Sequence, residues 1–262
     1  MTINSTGAER LQRRMARGAA FLGSEVAILG GGMSWVSERN LVAAISNAGG
    51  FGVIACGAMS TDLLDAEIAG TKALTDKPFG VNLITMHPDL MALIDVCAKH
   101  KVSHVVLAGG LPHKGSLEAI KASGAKCVCF APTLALAKKL IRSGVDALVI
   151  EGMEAGDHIG PVSTSVLAQE ILPEIAHDVP VFIAGGIGRG QAIAGYLDMG
   201  AAGVQLGTRF VCATESIAHP NFKKAFIRAS ARDAVASVQI DPRLPVIPVR
   251  ALKNAGGELF TQ

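Results

Sequence analysis

Short, continuously apolar segments recur along the chain at regular spacing, and helix-like segments separate them. The apolar segments are rich in β-branched residues and do not alternate with polar positions. This pattern is typical of parallel strands that are covered by helices on one face and by packed side chains on the other. The eight predicted strands are Val26–Leu29, Gly52–Ala55, Phe79–Ile84, His104–Ala108, Lys126–Phe130, Ala147–Ile150, Val181–Ala184 and Gly203–Leu206.

Segments with helical periodicity lie between these strands, among them "SERNLVAAISNAG", "DLMALIDVCAKH", "TLALAKKLIRSG" and "GQAIAGYLDMG". Three of the four stop at glycine, the residue favoured at a helix C-terminus. Eight β/α units predict a TIM (β/α)8 barrel and leave no room for a large inserted domain before the eighth strand. We expect one domain over residues 1–262, with an N-terminal helix at 8–20 and a C-terminal tail from about 234 to 262.

A doubly wound open sheet is the alternative fold. It would need only about five to seven strands, together with a tight GxGxxG turn after the first one. The first predicted strand is followed by "GGGMSW", which lacks that spacing. The barrel is therefore the preferred prediction.

Composition and charge limit the classes of molecule that the protein is expected to bind. The chain has 262 residues and a net charge of +2, and its one basic run, "RLQRRMAR", is too short to indicate nucleic-acid binding. Glu9 and Glu25 interrupt the basic and apolar opening, so a signal peptide is disfavoured, and no apolar segment approaches the about 20 residues of a membrane span. We expect a cytoplasmic protein with a small-molecule substrate and no membrane partner. A homodimer stays open.

The five cysteines are scattered, odd in number and without CxxC spacing, which argues against a disulfide framework or a zinc site. We expect small core residues and no metal. Cys127 and Cys129 should share one face of a strand. The cysteines are Cys56, Cys97, Cys127, Cys129 and Cys212.

Nearly every predicted strand ends in glycine, small or polar residues, for example "GGGMS" after the first and "EGMEAGDH" after the sixth. Barrel enzymes build their sites from these loops. The loops after strands seven and eight, "AGGIGRG" and "GTRF", stand where barrels commonly hold a phosphate, and Thr208 can bond a phosphate oxygen. One such loop alone is better explained as a tight turn, whereas the two together make a phosphate-bearing ligand an equally good interpretation, and we expect such a ligand.

The segment "EGMEAGDHIG" sets His158 among glycines and carboxylates directly after the sixth strand. An imidazole titrates near neutrality and suits proton transfer at such a site. A histidine without informative neighbours is more often structural, and we expect this of the other six. Only His113, in the loop after strand four, is a candidate second pocket residue.

With these motifs in order, the chain from about Val26 to Arg250 resembles the FMN-dependent barrels that include nitronate monooxygenase and flavin-dependent enoyl-acyl-carrier-protein reductase. The nitronate enzyme was once called 2-nitropropane dioxygenase. The matching motifs are "GGM" with "AAISNAGGFGVI", "KPFGVNL", "EGMEAGDHIG", "VFIAGGIGRG" and "GAAGVQLGTRF".

The resemblance implies bound FMN, with His158 facing the substrate above the flavin ring. It also implies the residues that hold the cofactor. Backbone at Gly32 and Met33 would lie beside the ring, Asn82 and Glu151 would hydrogen-bond it, Gly156, Gly185 and Gly186 would admit close backbone approach, and Gln205, Leu206, Gly207 and Thr208 would cradle the phosphate.

Nitronate monooxygenase activity with O2 is the first functional choice that follows from the resemblance. The alternative is enoyl thioester reduction with NAD(P)H. Two other classes stay open: a phosphosugar isomerase or lyase that uses Glu151 and Glu154 as a carboxylate pair, and a silent flavin-binding protein whose site Asp157 blocks. Asp157 stands where the family usually has a second glycine, and Glu151 stands where it has glutamine or glutamate.

Overall fold

A computed structural model describes residues 5–238 and 248–260. Eight parallel strands surround a central axis, and their order in the sheet follows the chain, with the first strand beside the eighth. Six of the eight predicted ranges are reproduced residue for residue. The barrel strands are β1 (Ile28–Gly30), β2 (Gly52–Ala55), β3 (Phe79–Ile84), β4 (His104–Ala108), β5 (Lys126–Phe130), β6 (Ala147–Glu151), β7 (Val181–Ala184) and β8 (Gly203–Leu206).

The barrel closes between β1 and β2. Phe51 N donates to Ile28 O, and Gly30 N donates to Phe51 O, both at 2.9 Å. On the other side, Ile28 on β1 is in register with Val204 on β8. The TIM barrel is therefore confirmed, and the open-sheet alternative is wrong.

The first strand begins later than Val26–Leu29, the range that the sequence predicts. Ser24 Oγ donates to Val26 O at 2.9 Å, and Ile28 N donates to the same carbonyl at 2.9 Å. These bonds fold the chain into a turn around Val26, so its apolar side chain precedes the strand. Gly30 joins β1 instead, because it is in register with Leu206 on β8 and its N–H donates to Phe51 O, directly before β2.

Helices alternate with the barrel strands, and no helix within the described ranges is long and apolar enough to cross a membrane. The glycines predicted to end helices do so with positive φ, 88° at Gly49, 91° at Gly144 and 105° at Gly200. The helices are α1 (Ser5–Leu22), α2 (Arg39–Asn47), α3 (Thr61–Leu74), α4 (Leu90–Lys99), α5 (Lys114–Ala122), α6 (Leu134–Arg142), α7 (Thr164–Ile175), α8 (Gly190–Asp198), α9 (Thr208–Val211), α10 (Pro220–Arg228) and α11 (Ala255–Phe260).

The predicted tail from about 234 to 262 contains regular structure. Strand β9 (Ala234–Ala236) pairs antiparallel with β10 (Arg250–Leu252), and we call residues 234–238 and 248–252, which contain these two strands, the C-terminal hairpin. Residues 239–247 and 261–262 of the predicted tail lie outside the described residues. The predicted N-terminal helix at 8–20 is longer at both ends in α1.

The core has two layers, as parallel strands with two buried faces require. The outer layer joins the strands to the surrounding helices. The inner layer fills the barrel and includes Phe51, Val106, Val149 and Phe182, all at most 2% exposed. The barrel interior is thus packed, and a ligand must bind at one end of it.

Helix α1 covers the end of the barrel where the strands begin. The ring of His104, at the start of β4, packs edge-on against Phe21 and Phe51, and its Nε2 donates to Phe21 O at 3.0 Å. Burial lowers the pKa of His104 to about 4. The sequence expectation of a structural histidine is correct here, and the opposite end of the barrel remains as the mouth.

All five cysteines are free thiols, and four of them are buried in the outer layer as predicted. Cys127 and Cys129 lie on the same face of β5, with their Sγ atoms 3.9 Å apart. Burial raises the pKa of Cys56 to about 11, so this thiol stays protonated and behaves as an apolar side chain. Cys212 is only half-buried.

Candidate active site

Three polar side chains point into the barrel near the C-terminal ends of their strands. Glu151 on β6 is in register with Ala184 on β7, which is in register with Gln205 on β8. Glu151 and Gln205 are therefore two strand spacings apart, about 10 Å. Asn82 on β3 approaches from another side, and its Nδ2 donates to Val106 O at 3.1 Å, which leaves Oδ1 as an acceptor.

The predicted glycines show which loops meet around this mouth. A Cβ added to Gly32 would lie 2.9 Å from Asn82 Cβ, so the loop after β1 lies against β3. A Cβ on Gly156 would lie 2.6 Å from Thr208 Oγ1, so the loops after β6 and β8 touch. The structure thus brings together these residues from strands that are distant in the sequence.

Ser37 holds the loop after β1 in place. Its hydroxyl donates to Gly31 O at 2.7 Å and accepts from Met33 N at 3.0 Å, while Gly31 N donates to Leu206 O at 2.8 Å. Trp35 in the same loop has φ of 62° and is 67% exposed. Sequence reasoning missed both residues, although the single tryptophan in "GGGMSW" was a usable signal.

Gly185 and Gly186 have positive φ, 97° and 70°, as tight βα turns after a strand require. A Cβ on Gly185 would lie 2.9 Å from Ala155 N, and one on Gly186 would lie 2.9 Å from Glu154 Cβ. These two glycines therefore admit close packing by the loop after β6. That contact is with the protein itself, whereas the resemblance implies contact with a cofactor.

Glu154 has a structural role. Its Oε2 accepts from Thr164 N at 2.7 Å and from Thr164 Oγ1 at 2.9 Å, at the start of α7. The carboxylate is thereby committed to the helix N-terminus, where it complements the helix dipole. Glu151 and Glu154 do not form the carboxylate pair that a phosphosugar isomerase would need.

Glu151 has an unusual proton affinity. Burial, and secondarily the charge of Asp157, raises the pKa of its carboxyl to about 7. The group therefore exchanges protons near neutral pH, and its protonated form both donates and accepts a hydrogen bond. A group of this kind suits a site that moves protons.

His158 lies in the loop after β6 with a 66% exposed side chain. Its Nδ1 is 3.9 Å from Asp157 Oδ1, too far for a hydrogen bond. Asp157 has φ of 137°, a conformation that favours glycine, which agrees with its standing at a family glycine position. The backbone of His158 is bridged to Val249, so the C-terminal hairpin supports the loop.

His113 follows β4 at the N-terminus of α5. It lines a cavity of about 320 Å³ together with His87, Met86, Met91 and neighbouring residues of the loops after β3 and β4. This cavity is lined by none of the residues predicted to bind FMN. His113 is a pocket residue, but the structure does not join it to the predicted cofactor residues.

The loop after β8 has the space that a phosphate requires. Gly207 precedes α9, no side chain in the described structure caps that helix, and a Cβ on Gly207 would come no closer than 3.8 Å to Met33 Sδ. Thr208 is exposed beside it. Glycines at 188 and 190 also face open space. The residues present therefore fit one phosphate group, which is what FMN carries.

A family model described as nitronate monooxygenase matches residues 17–99 and 89–255, nearly the whole chain. The chain belongs to the nitronate monooxygenase family. This family membership agrees with the resemblance found in the sequence motifs and with the observed (β/α)8 barrel fold. The paired glycine loops and His158 thus lie within the matched region of a nitronate monooxygenase family member.

Relatives of this family member differ in their named activities. A (3aS,4S,5R,7aS)-5-hydroxy-7a-methyl-1-oxo-octahydro-1H-indene-4-carboxyl-CoA dehydrogenase of Rhodococcus jostii is 36% identical over 210 residues, 80% of this chain and 59% of that protein. A nitronate monooxygenase of Paraburkholderia phytofirmans is 30% identical over 85% of this chain and 73% of its own. FabK from Thermotoga maritima has a TM-score of 0.87 at 39% identity, covering 93% of this chain and 76% of FabK.

The chain spans 59% and 62% of the length of the first two curated relatives that it matches. The named relatives are a dehydrogenase and a monooxygenase, so oxidation and reduction are common to them. Their substrates differ.

Proposed function

We propose that this chain binds FMN at the barrel mouth and oxidises alkyl nitronates and nitroalkanes with O2. The observation that carries the proposal is the exposed imidazole of His158 in the loop that follows β6, the strand that ends at Glu151, whose carboxyl has a pKa of about 7. Membership of the nitronate monooxygenase family supports the reaction class.

His158 supplies the proton transfer in this proposal. A neutral nitroalkane carries a proton on the carbon beside the nitro group, and the neutral imidazole takes that proton to leave the nitronate anion. The transfer of electrons from the substrate to O2 would be the chemistry that bound FMN supplies. Because the ring of His158 is open to water, it returns the proton to solvent after each turnover.

Asn82 and Glu151 would hold the flavin ring. Asn82 Oδ1 accepts a hydrogen bond, since its amide group is fixed by the bond to Val106 O. Glu151 donates one while protonated and accepts one while ionised. The loop from Gly207 to Thr208 would hold the single phosphate.

The FMN proposal is tested at Gly207. Its φ of −108° is negative and the protein leaves room for a Cβ there, so we expect Gly207→Val to keep the fold, which circular dichroism checks. The side chain should occupy the phosphate's space and weaken FMN binding about tenfold or more, which corresponds to about 1.4 kcal/mol. Gly195→Val is the matched control, because Gly195 lies within α8, outside the predicted phosphate loops, and an added Cβ there meets nothing within 4 Å.

The two flavin-binding variants are compared by titration of the apoprotein with FMN and by mass analysis of the cofactor released on heating. Release of FAD, or equal affinity in Gly207→Val and Gly195→Val, would contradict the cofactor assignment. The role of His158 is tested by His158→Ala, which should lower activity on a neutral nitroalkane about 10²-fold and spare the preformed nitronate. Equal losses on both substrates would mean that His158 does not take the proton.

Oxidation or reduction of an acyl thioester is the second candidate. It is favoured by the 36% identity to a protein named a carboxyl-CoA dehydrogenase and by Glu151, the residue that the enoyl reductases often carry at this position. Anaerobic mixing separates the two candidates. Bleaching of the flavin by nitronate alone supports the monooxygenase, and bleaching by NADPH alone supports thioester reduction.

We also propose a cytoplasmic location, which the five free thiols support because reducing compartments preserve thiols. Fractionation of cells that express the chain tests the location. A homodimer is an open proposal that a mass measurement in solution decides.

A further inference from the structure

Arg250 contacts the loop that carries His158 at two places. Its Nε and Nη2 donate to Met153 O at 3.2 and 2.5 Å, and its backbone N donates to Asp157 O at 2.7 Å. The remaining nitrogen, Nη1, donates to Ala234 O on β9 at 2.9 Å. One residue therefore ties both ends of the 153–157 segment to the C-terminal hairpin.

The hairpin also flanks His158 itself. Ile159 N donates to Pro248 O at 2.9 Å, and Val249 stands opposite His158 as in an antiparallel sheet. Val249 is fixed in turn by Ser237, whose N donates to Val249 O at 2.7 Å and whose Oγ accepts from Val249 N at 2.9 Å. The backbone of His158 is held from the side by this chain of bonds.

Within the part of the chain that the structure describes, no hydrogen bond orients the imidazole of His158. Its side chain is 66% exposed, and the carboxylate of Asp157 is beyond hydrogen-bonding distance. The direction of the ring therefore depends on where the backbone of residues 157–159 is held. A displacement of about 1 Å in a reacting group can cost about 10²-fold in rate.

We propose that Arg250 is a positioning residue, which sets the placement of His158 by bracing the 153–159 loop against the C-terminal hairpin. The inference rests on the proposed role of His158. Arginine suits this task because its planar group reaches two carbonyl groups, Met153 O and Ala234 O, in a fixed geometry. Lysine has one terminal nitrogen and cannot reproduce that fork.

The first test measures the brace without any substrate. Hydrogen exchange, followed by mass spectrometry, should be about tenfold faster in peptides covering 153–159 in Arg250→Met than in the parent, with Arg250→Lys between them. Arg17→Met is the matched control. Arg17 also donates to two backbone carbonyls, Ala176 O and His177 O, but from α1 at the other end of the barrel. Unchanged exchange in this loop, or an equal increase in Arg17→Met, overturns the inference whether or not the protein oxidises nitro compounds.

The second test links the brace to His158. Arg250→Met should lower kcat on a neutral nitroalkane about 10 to 100-fold, leave kcat on the preformed nitronate within about twofold, and cause no further loss when added to His158→Ala. A purely structural role would instead lower both activities equally and would multiply the loss in the double variant. Either of those outcomes overturns the positioning role. Arg250→Lys should recover part of the nitroalkane activity, and lack of activity in the parent would refute the proposed function while leaving the exchange test valid.

Discussion

Asp157 occupies a conformation that glycine adopts more easily, and this predicts a stabilising substitution. Residues held in sparsely populated φ regions cost about 1 to 3 kcal/mol, and φ at Asp157 is 137°. Glycine relieves that strain but loses about 0.5 to 1 kcal/mol through the greater freedom of the unfolded chain. The backbone bond from Arg250 N to Asp157 O does not depend on the side chain and is kept.

Asp157→Gly should therefore stabilise the flavin-free protein by about 1 kcal/mol, which raises Tm by about 2 to 4 °C for a chain of this size. Urea unfolding and calorimetry measure both quantities. Asp157→Asn is the control, because it removes the same charge but keeps a side chain in the strained position. If Asp157→Gly is no more stable than Asp157→Asn, the aspartate is not strained and the reasoning from its φ is refuted.

Two further predictions concern buried titratable groups. His104 has a pKa of about 4 when folded and about 6.5 when unfolded, so as pH falls through this window the unfolded state binds the proton first and stability drops by about 3 kcal/mol. His104→Gln should lose that part of the pH dependence of the free energy of unfolding, measured with urea between pH 7 and 4. If the free energy of unfolding of the variant falls with pH in parallel with that of the parent, the prediction is contradicted. Glu151 is an acid whose pKa is raised to about 7 in the folded state. As pH rises from about 4.5 to 7, the unfolded state loses this proton first, so the free energy of unfolding falls. Glu151→Gln should stabilise the flavin-free protein more at pH 8 than at pH 5, and an equal gain at both values would mean that the carboxyl is not desolvated.

The sequence was most informative where a pattern repeats. Each apolar segment is short and bounded by glycine or polar residues, so β2 and β4 could be predicted to the residue. The β1 prediction was wrong by two residues at its start because Val26 is apolar but lies in a turn made by Ser24. Such a turn depends on one side-chain hydrogen bond that hydrophobic patterning does not report.

The site was partly predictable for the same reason. Glycines and polar residues at strand ends must meet at one face of a barrel, so the loops that carry Gly32, Asn82, Gly156 and Thr208 could be placed at one mouth from the sequence, whereas the contacts between them could not. Arg250 could not be found in this way. Its partners are backbone carbonyls, which every residue has, and they are distant in the sequence.

The dependence of the His158 loop on the C-terminal hairpin has a consequence for the protein during its synthesis. The ribosome makes the chain from the N-terminus, at about 5 to 20 residues per second, so the hairpin emerges several seconds after His158. During that interval β6 and β7 can pair, but Asp157 O and Ile159 N lack the partners that hold them in the finished molecule. The nascent barrel therefore acquires its strands first and its oriented histidine later, which separates assembly of the scaffold from the onset of activity.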